Sequence, residues 1–429
     1  MVKRCPTPPM GWNSYDGYLG AISEAQFREN VEYIAANLKP FGYEYAVIDA
    51  GWYNNTPKIL AERQNLETFD ELKATKPEYN CDQFGRPVPH PDAFPCTAEA
   101  KSFKPLADYV HSKGLKFGLH MMRGMTTNAF GRGCIIKGTD TKYEDLIDLE
   151  SLCLWSPKTF GVKTDHPSAQ EWYDSLFEMF AEWEIDFVKY DDLGSPIRRA
   201  EITMIHNAID KCGREILFSL SPGDFTKIED HEFYSEHASM WRISRDFWDN
   251  WDDLDLSFKL LGDWNQYIND PGWPDGDMLP IGHLCEVPSE RGIRPRKTRF
   301  NLDELRSLMT LFCFARSPLI LTCNLSKNDA ELLSVQTNKE LIAINQRGEG
   351  NKVISRKDGQ HLWRSKVDGI DYLALFYIGD EETNHTYEIP ADLRGKTAED
   401  VWCGGCIGKL GETLMLPITA HGCTVLRIK

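Results

Sequence analysis

Short apolar runs that end in an acidic residue recur along this chain. They are Ala46-Val47-Ile48-Asp49, Asp186-Phe187-Val188-Lys189-Tyr190-Asp191-Asp192, Trp241-Arg242-Ile243-Ser244-Arg245-Asp246 and Asp275-Gly276-Asp277-Met278-Leu279. A buried strand reads as such a run, and the residue after it sits at the strand's C-terminal tip. The same reading predicts strands at residues 10–14, 43–49, 116–120, 187–191, 216–221, 240–244, 278–281 and 319–322. Helical spacing fills several of the gaps. Behind Ser23-Glu24, the residues Phe27, Val31, Ile34 and Leu38 share one face of a helix predicted at 23–38. Residues 104–113 stop at Gly114, and 167–183 open on Pro167 and align Trp172, Leu176, Phe180 and Trp183. Further helices are predicted at 302–315 and 329–344, whereas 228–236 is poorly defined. Eight β-units joined by helices favour a (β/α)₈ TIM barrel over an open sheet. Its strand tips would gather on one face, where catalysis is normally built.

After Gln346 the pattern changes to short runs at 353–356, 362–365, 371–378, 385–388 and 423–428, parted by Gly, Asp and Asn. This predicts a barrel over residues 1–346 and a C-terminal antiparallel, β-sandwich-like domain over 347–429. Three long connections, 53–97, 122–164 and 265–277, adjoin strands that carry aspartates or strand tips. Loops of that length commonly shape a site.

Composition narrows the classes. The chain has 429 residues, 48 basic against 65 acidic, for a net charge of −17. Nucleic acid and anionic membranes need basic surface, so neither is an expected partner. No apolar stretch is long enough to cross a bilayer, and no apolar leader follows Lys3-Arg4. The 12 cysteines are scattered, many beside apolar neighbours. Buried free thiols and a cytoplasmic location are therefore expected. Cys403-Gly-Gly-Cys406 has no second pair to complete a zinc site and reads as a turn.

Carboxylates brought from separate strands to one pocket are suited to splitting glycosidic bonds. Several segments, in order, resemble glycoside hydrolase family 27, the α-galactosidases and α-N-acetylgalactosaminidases. Pro9-Met10-Gly11-Trp12-Asn13-Ser14-Tyr15-Asp16 is similar to the family's opening strand, and Gly42 to Trp52 to its second. His111 to Gly118 resembles the entry to the third, Val188-Lys189-Tyr190-Asp191 the nucleophile strand, and Trp241 to Asp246 the acid/base strand. Asp275 to Leu279 and Ile342-Ala343-Ile344-Asn345-Gln346 match as well.

The resemblance implies a retaining exo-glycosidase on terminal α-D-galactosyl residues, needing no cofactor or metal. Asp191 would be the nucleophile and Asp246 the acid/base. Asp49, Asp277, Arg242 and Lys189 would bind the sugar, with Trp12 and Tyr15 as aromatic walls. Each has a structural alternative. Trp12 suits a sugar wall or the core equally, and Trp52 and Trp241 can be core aromatics. Asp192 reads better as a turn or cap residue. His120, at a strand tip, favours the pocket. Beyond Asp246, the acidic run to Asp255 reads as a capped helix with a solvated face.

The departures bear on specificity. Where the family usually has a second acid after Asp49, this chain has Ala50. It has His120 for the usual Tyr, Tyr15 for Trp, and Leu193 for a disulfide cysteine. β-L-Arabinopyranosidases of the family are also altered at the acidic pair. Ser221 stands where N-acetylgalactosaminidases carry a small residue. Both activities are therefore alternatives, and a catalytically silent sugar-binding barrel a remote one. A metallohydrolase would call for histidines beside the aspartates, and only His120 is an obvious strand-tip histidine. The expected partner is a small-molecule carbohydrate, and self-association into a homo-oligomer stays open.

Overall fold

The computed structural model describes residues 5–55, 79–153, 159–194, 196–221, 225–268, 272–287 and 294–429. Parts of the three long connections, at 56–78, 154–158 and 269–271, lie outside the described residues, as do 1–4 and Pro222. Eight parallel strands form the barrel: β1 (Met10–Asn13), β2 (Tyr45–Ile48), β3 (Lys116–Met122), β4 (Phe187–Asp191), β5 (Leu217–Leu220), β6 (Met240–Arg242), β7 (Trp273–Asp275) and β8 (Leu319–Leu321). They pair in the order β7-β6-β5-β4-β3-β2-β1-β8. The ring closes through Leu279, whose N–H donates to Ile320 O at 2.8 Å and whose carbonyl accepts from Thr322 N–H at 2.9 Å.

The seventh strand differs from expectation. It is Trp273–Asp275, not 278–281, where only Leu279 makes an isolated bridge to Leu321. The Gly272-Trp273-Pro274-Asp275 stretch reads as a loop because proline cannot donate to a ladder. Here Pro274 pairs with β6 alone, opposite Trp241, and the contact to β8 begins only at Leu279.

Helices cover the outside. Ser23 caps Glu24–Tyr33 through a capping box with Gln26, and the helix runs on as a π-helical segment, Ile34–Leu38. Ala169–Glu182 and Leu302–Phe314 fall where expected. Arg199–Lys211 is an additional helix. The helix predicted at 329–344 is two, Ala330–Gln336 and Lys339–Arg347. Asn338 causes the break, because its side chain accepts from the N–H groups of Glu340 and Leu341 and starts a new helix.

Strand alternation divides the barrel into two worlds. Outward residues such as Trp12, Ala46 and Phe117 join the large core beneath the helices. Inward residues Tyr45, Val47, Phe187, Leu217, Met240, Trp273 and Ile320 form a separate apolar floor with Met278. Gly118 is small because a Cβ there would lie 2.8 Å from Val47 and 2.9 Å from Phe187. The next inward layer is polar and opens at the strand tips. Among the described residues no helix is long and apolar enough to cross a membrane.

From Glu349 onward the chain is antiparallel. Glu349–Lys357, Gln360–Val367, Ile370–Tyr377, Cys423–Ile428, Thr397–Asp400 and Cys406–Lys409 pair in that order, and Thr383–Glu388 pairs with Thr413–Ile418. Leu362, Leu373, Leu375, Tyr387 and Leu426 make a second core. The opposite face packs on the barrel helices, with Phe376 5.0 Å from Phe258. Cys403 and Cys406 are exposed in a turn where Asp400 Oδ1 accepts the N–H groups of Trp402 and Cys403.

Candidate active site

The tip of β4 sets the electrostatics. Phe187, Lys189 and Asp191 share the inward face, Phe187 in the floor and the other two above it. Burial alone would raise the Asp191 carboxyl, but Lys189 and His120, with Arg242, hold it well below the usual carboxylate range. Its Oδ2 lies 2.9 Å from His120 Nε2. A carboxylate only accepts, so Nε2 carries the proton. Asp191 Oδ1 makes no hydrogen bond among the described residues. The carboxylate is thus ionised and anchored, with one oxygen unengaged. Trp52 Nε1 donates to His120 O at 2.8 Å and fixes the histidine's strand.

Lys189 lies between two acids. Burial opposes its charge, yet Asp191 and Asp49 push its basicity above the ordinary lysine range. Its Nζ donates to Asp49 Oδ2 at 3.0 Å and stands 5.8 Å from the centre of the Tyr15 ring. Asp49 Oδ2 also accepts from Asn13 Nδ2 at 2.7 Å, and Oδ1 from Ala50 N–H at 2.7 Å. Against the effect of burial, Lys189 and His120 lower its carboxyl.

A second cluster surrounds Arg242. Its Nη1 lies 2.9 Å from Asp246 Oδ1 and 3.4 Å from Asp277 Oδ2. Asp277 Oδ2 further accepts Phe247 N–H at 2.9 Å, so it holds the chain beside Asp246. The Asp246 side chain is 62% exposed, against 5% for Arg242. The acid/base candidate faces solvent, where leaving groups and water come and go, whereas the Asp191 side chain is only 16% exposed.

Arg242 links the clusters. Burial disfavours its charge, but Asp277, Asp246 and Asp191 together strengthen it. The structure therefore brings Asp49, Lys189, Asp191, His120, Arg242, Asp246 and Asp277 to one mouth, with Tyr15 at its side. Ser221 follows β5, buried, with Oγ unpaired among the described residues.

Trp12 goes elsewhere, and the sugar-wall reading of it is corrected. Its ring is fully buried on the outer side of β1, 5.9 Å from Phe27, with Nε1 donating to Cys323 O at 2.7 Å. Its neighbour Asn13 points inward and holds Asp49 instead. The acidic run past Asp246 is a capped helix, as expected, with Asn250 capping Trp251–Trp264, but its face is only partly solvated. Asp252 and Asp255 are exposed, whereas Asp249 is buried against Arg296, and Asp253 is buried and accepts from Trp248 N–H and Asn250 Nδ2.

Asp16 and Asp275 are site residues to which the sequence reading assigned no role. Asp16 is buried with Oδ2 unpaired among the described residues, and burial followed by Asp277's charge raises its carboxyl well above the ordinary range. The signal for Asp275 was parity: it shares a face with Trp273. Its Oδ1 accepts Asp277 N–H at 3.0 Å. Burial, then Asp277's charge, pushes the Asp275 carboxyl up to about 7. A raised carboxyl favours the folded state below its unfolded value of about 4, and that contribution is lost as pH rises through the folded value. Asp275→Asn is accordingly expected to flatten the decline in Tm between about pH 4 and 7. Parallel Tm–pH curves for variant and wild type would contradict this.

A family model described as Alpha galactosidase A matches residues 142–347. The β-L-arabinopyranosidase of family 27 from Geobacillus stearothermophilus, solved free and with arabinose, is 35% identical, with a TM-score of 0.90 over 99% of this chain and 97% of that one. The chain belongs to glycoside hydrolase family 27. It is also similar to a Bacillus halodurans protein put forward as an α-N-acetylgalactosaminidase, at 30% identity and a TM-score of 0.85, with 100% of both chains covered. An α-galactosidase of Oryza sativa subsp. japonica is 26% identical over 97% of this chain and 83% of its own length. The two clusters lie at the C-terminal tips of the barrel strands, the face on which active sites of (β/α)₈ barrels are built.

Proposed function

We propose that this glycoside hydrolase removes terminal α-D-galactosyl residues by a retaining double displacement. One observation carries the reading: a buried carboxylate, Asp191, held 2.9 Å from His120 and kept ionised by Lys189 and His120, shares a mouth with a solvent-facing carboxylate, Asp246, held 2.9 Å from Arg242. In the first step an Asp191 oxygen bonds to the anomeric carbon. The glycosidic C–O bond breaks, and Asp246 gives its proton to the leaving oxygen. In the second, Asp246 takes a proton from water as the water oxygen attacks that carbon. The ester to Asp191 breaks, and both carboxyls return to their starting states. Asp49 and Asp277 accept from sugar hydroxyls in this reading. The 12 cysteines are all free, which supports a cytoplasmic location.

A panel of p-nitrophenyl α-galactoside, β-L-arabinopyranoside and α-N-acetylgalactosaminide tests the substrate. The α-galactoside is expected to have the highest kcat/KM, and NMR of the first product should show the α-anomer. A first-formed β-anomer would refute retention. Activity confined to another sugar would refute the galactoside reading.

Ala50 favours β-L-arabinopyranoside as the second reading. The two sugars are alike except at C6, and this position lacks the carboxylate that would meet a hydroxymethyl group. Ala50 is partly exposed, directly after the Asp49 it anchors. Ala50→Asp is expected to shift the kcat/KM ratio toward α-D-galactosides about ten-fold or more, since a hydrogen bond to a charged group is worth about 1.5–3 kcal/mol. A well-folded variant with unchanged preference would show that position 50 does not read C6.

A further inference from the structure

Arg123 follows β3 and leaves the strand beside the nucleophile. Its backbone N–H donates to Asp191 O at 3.1 Å. Its Nε donates to Asp192 Oδ2 at 2.9 Å. One residue thus holds the carbonyl of Asp191 and the side chain of the next residue. The Arg123 side chain is only 1% exposed. Nη1 donates to Glu201 Oε1 at 3.0 Å and to Ser151 Oγ at 3.2 Å, and Nη2 to Ser151 O at 2.9 Å. The Tyr173 hydroxyl donates to the other oxygen of Glu201.

Two features of this network are poor for stability. Asp192 has φ 66°, a left-handed backbone that is costly for a residue with a Cβ. A buried charged triad is also a weak source of stability, because desolvation offsets the attraction. What both features do determine is the direction in which the chain leaves Asp191.

We propose that Arg123, with Asp192 as its counter-ion, is a positioning residue that orients the Asp191 carboxylate for attack. The proposal rests on Asp191 being the nucleophile. Asp192 adopts the left-handed turn because Arg123 holds its carboxylate, and the turn sets the Asp191 side chain against His120. Misplacing a reacting group by about 1 Å costs roughly 100-fold in rate.

The test separates positioning from folding. Asp192→Gly tolerates the left-handed backbone but removes the carboxylate. Asp192→Asn keeps an acceptor for Arg123. Arg123→Met removes the guanidinium, and if it fails to fold, Asp192→Gly decides. Asp192→Gly is expected to lower kcat about 10- to 100-fold with KM within about two-fold, and Asp192→Asn to recover most of the loss. The glycine substitution is then made in Asp191→Gly, with azide supplying the nucleophile. Positioning through the Asp191 carboxylate predicts an effect under about two-fold there. A folded Asp192→Gly enzyme with wild-type kcat overturns the proposal, as does an undiminished loss in the azide background. If Asp191→Gly alone stays active, the nucleophile assignment falls, and the positioning role with it.

Discussion

Asp191→Ala is expected to lower kcat by about 10⁴-fold or more while leaving the fold intact. A positioned nucleophile is worth effective concentrations of roughly 10⁵–10⁸ M, and the alanine leaves nothing to replace it. The fold should survive because Asp191 stands at the strand tip, beyond the apolar floor formed by Phe187 and its neighbours. The deletion leaves Lys189 with Asp49 as a remaining partner at 3.0 Å, so that cation stays compensated. Azide should fill the vacated space and restore turnover, giving a glycosyl azide of β configuration. Near-wild-type activity without azide would remove Asp191 from the mechanism. Rescue giving only the α-azide would show that azide does not attack from the nucleophile's side.

Asp246→Ala is expected to have the next largest effect, and a selective one. A general acid contributes about 10²–10⁴-fold when the leaving oxygen needs a proton, and little when it departs unaided. Substrates with alkyl or sugar leaving groups should therefore slow by roughly that factor, while kcat/KM for dinitrophenyl glycosides should stay within about ten-fold. Arg242 loses one partner at 2.9 Å but keeps Asp277 at 3.4 Å, so its place in the pocket is retained. In the proposed double displacement Asp246 also serves deglycosylation, as a base, so the intermediate should accumulate with activated substrates and be released by azide. Equal losses on both classes of leaving group would argue against the acid role.

Much of the site could be read in the sequence because strand parity is local. Lys189 and Asp191 two apart must share a face, and Asp49 follows an apolar run that can only be a buried strand. The same rule explains the error at β1. Trp12 and Asn13 are adjacent, so only one can face the pocket, and the family resemblance pointed to the aromatic residue, whose side chain suits a wall or the core equally. The floor of the barrel made the choice: Tyr45 and Phe187 fill its interior, the inward positions of β1 go to Gly11 and Asn13, and Trp12 packs outward on Phe27. Pro274 hid β7 for a related reason, since its missing N–H matters only once its neighbours on both sides are known.

The sequence by itself determined the alternation of strands and helices, the antiparallel C-terminal region and the carboxylates at the tips. These follow from periodicities of two and 3.6 residues and from short motifs. Only the tertiary structure decided which charges meet. Arg123 and Glu201 pair across 78 residues and Lys189 and Asp49 across 140, distances at which no local pattern operates. Burial then sets their chemistry. Aspartates of one residue type become an ionised, buried carboxylate at 191, a carboxyl raised to about 7 at 275 and a solvent-facing carboxylate at 246, because each meets a different balance of desolvation and neighbouring charge.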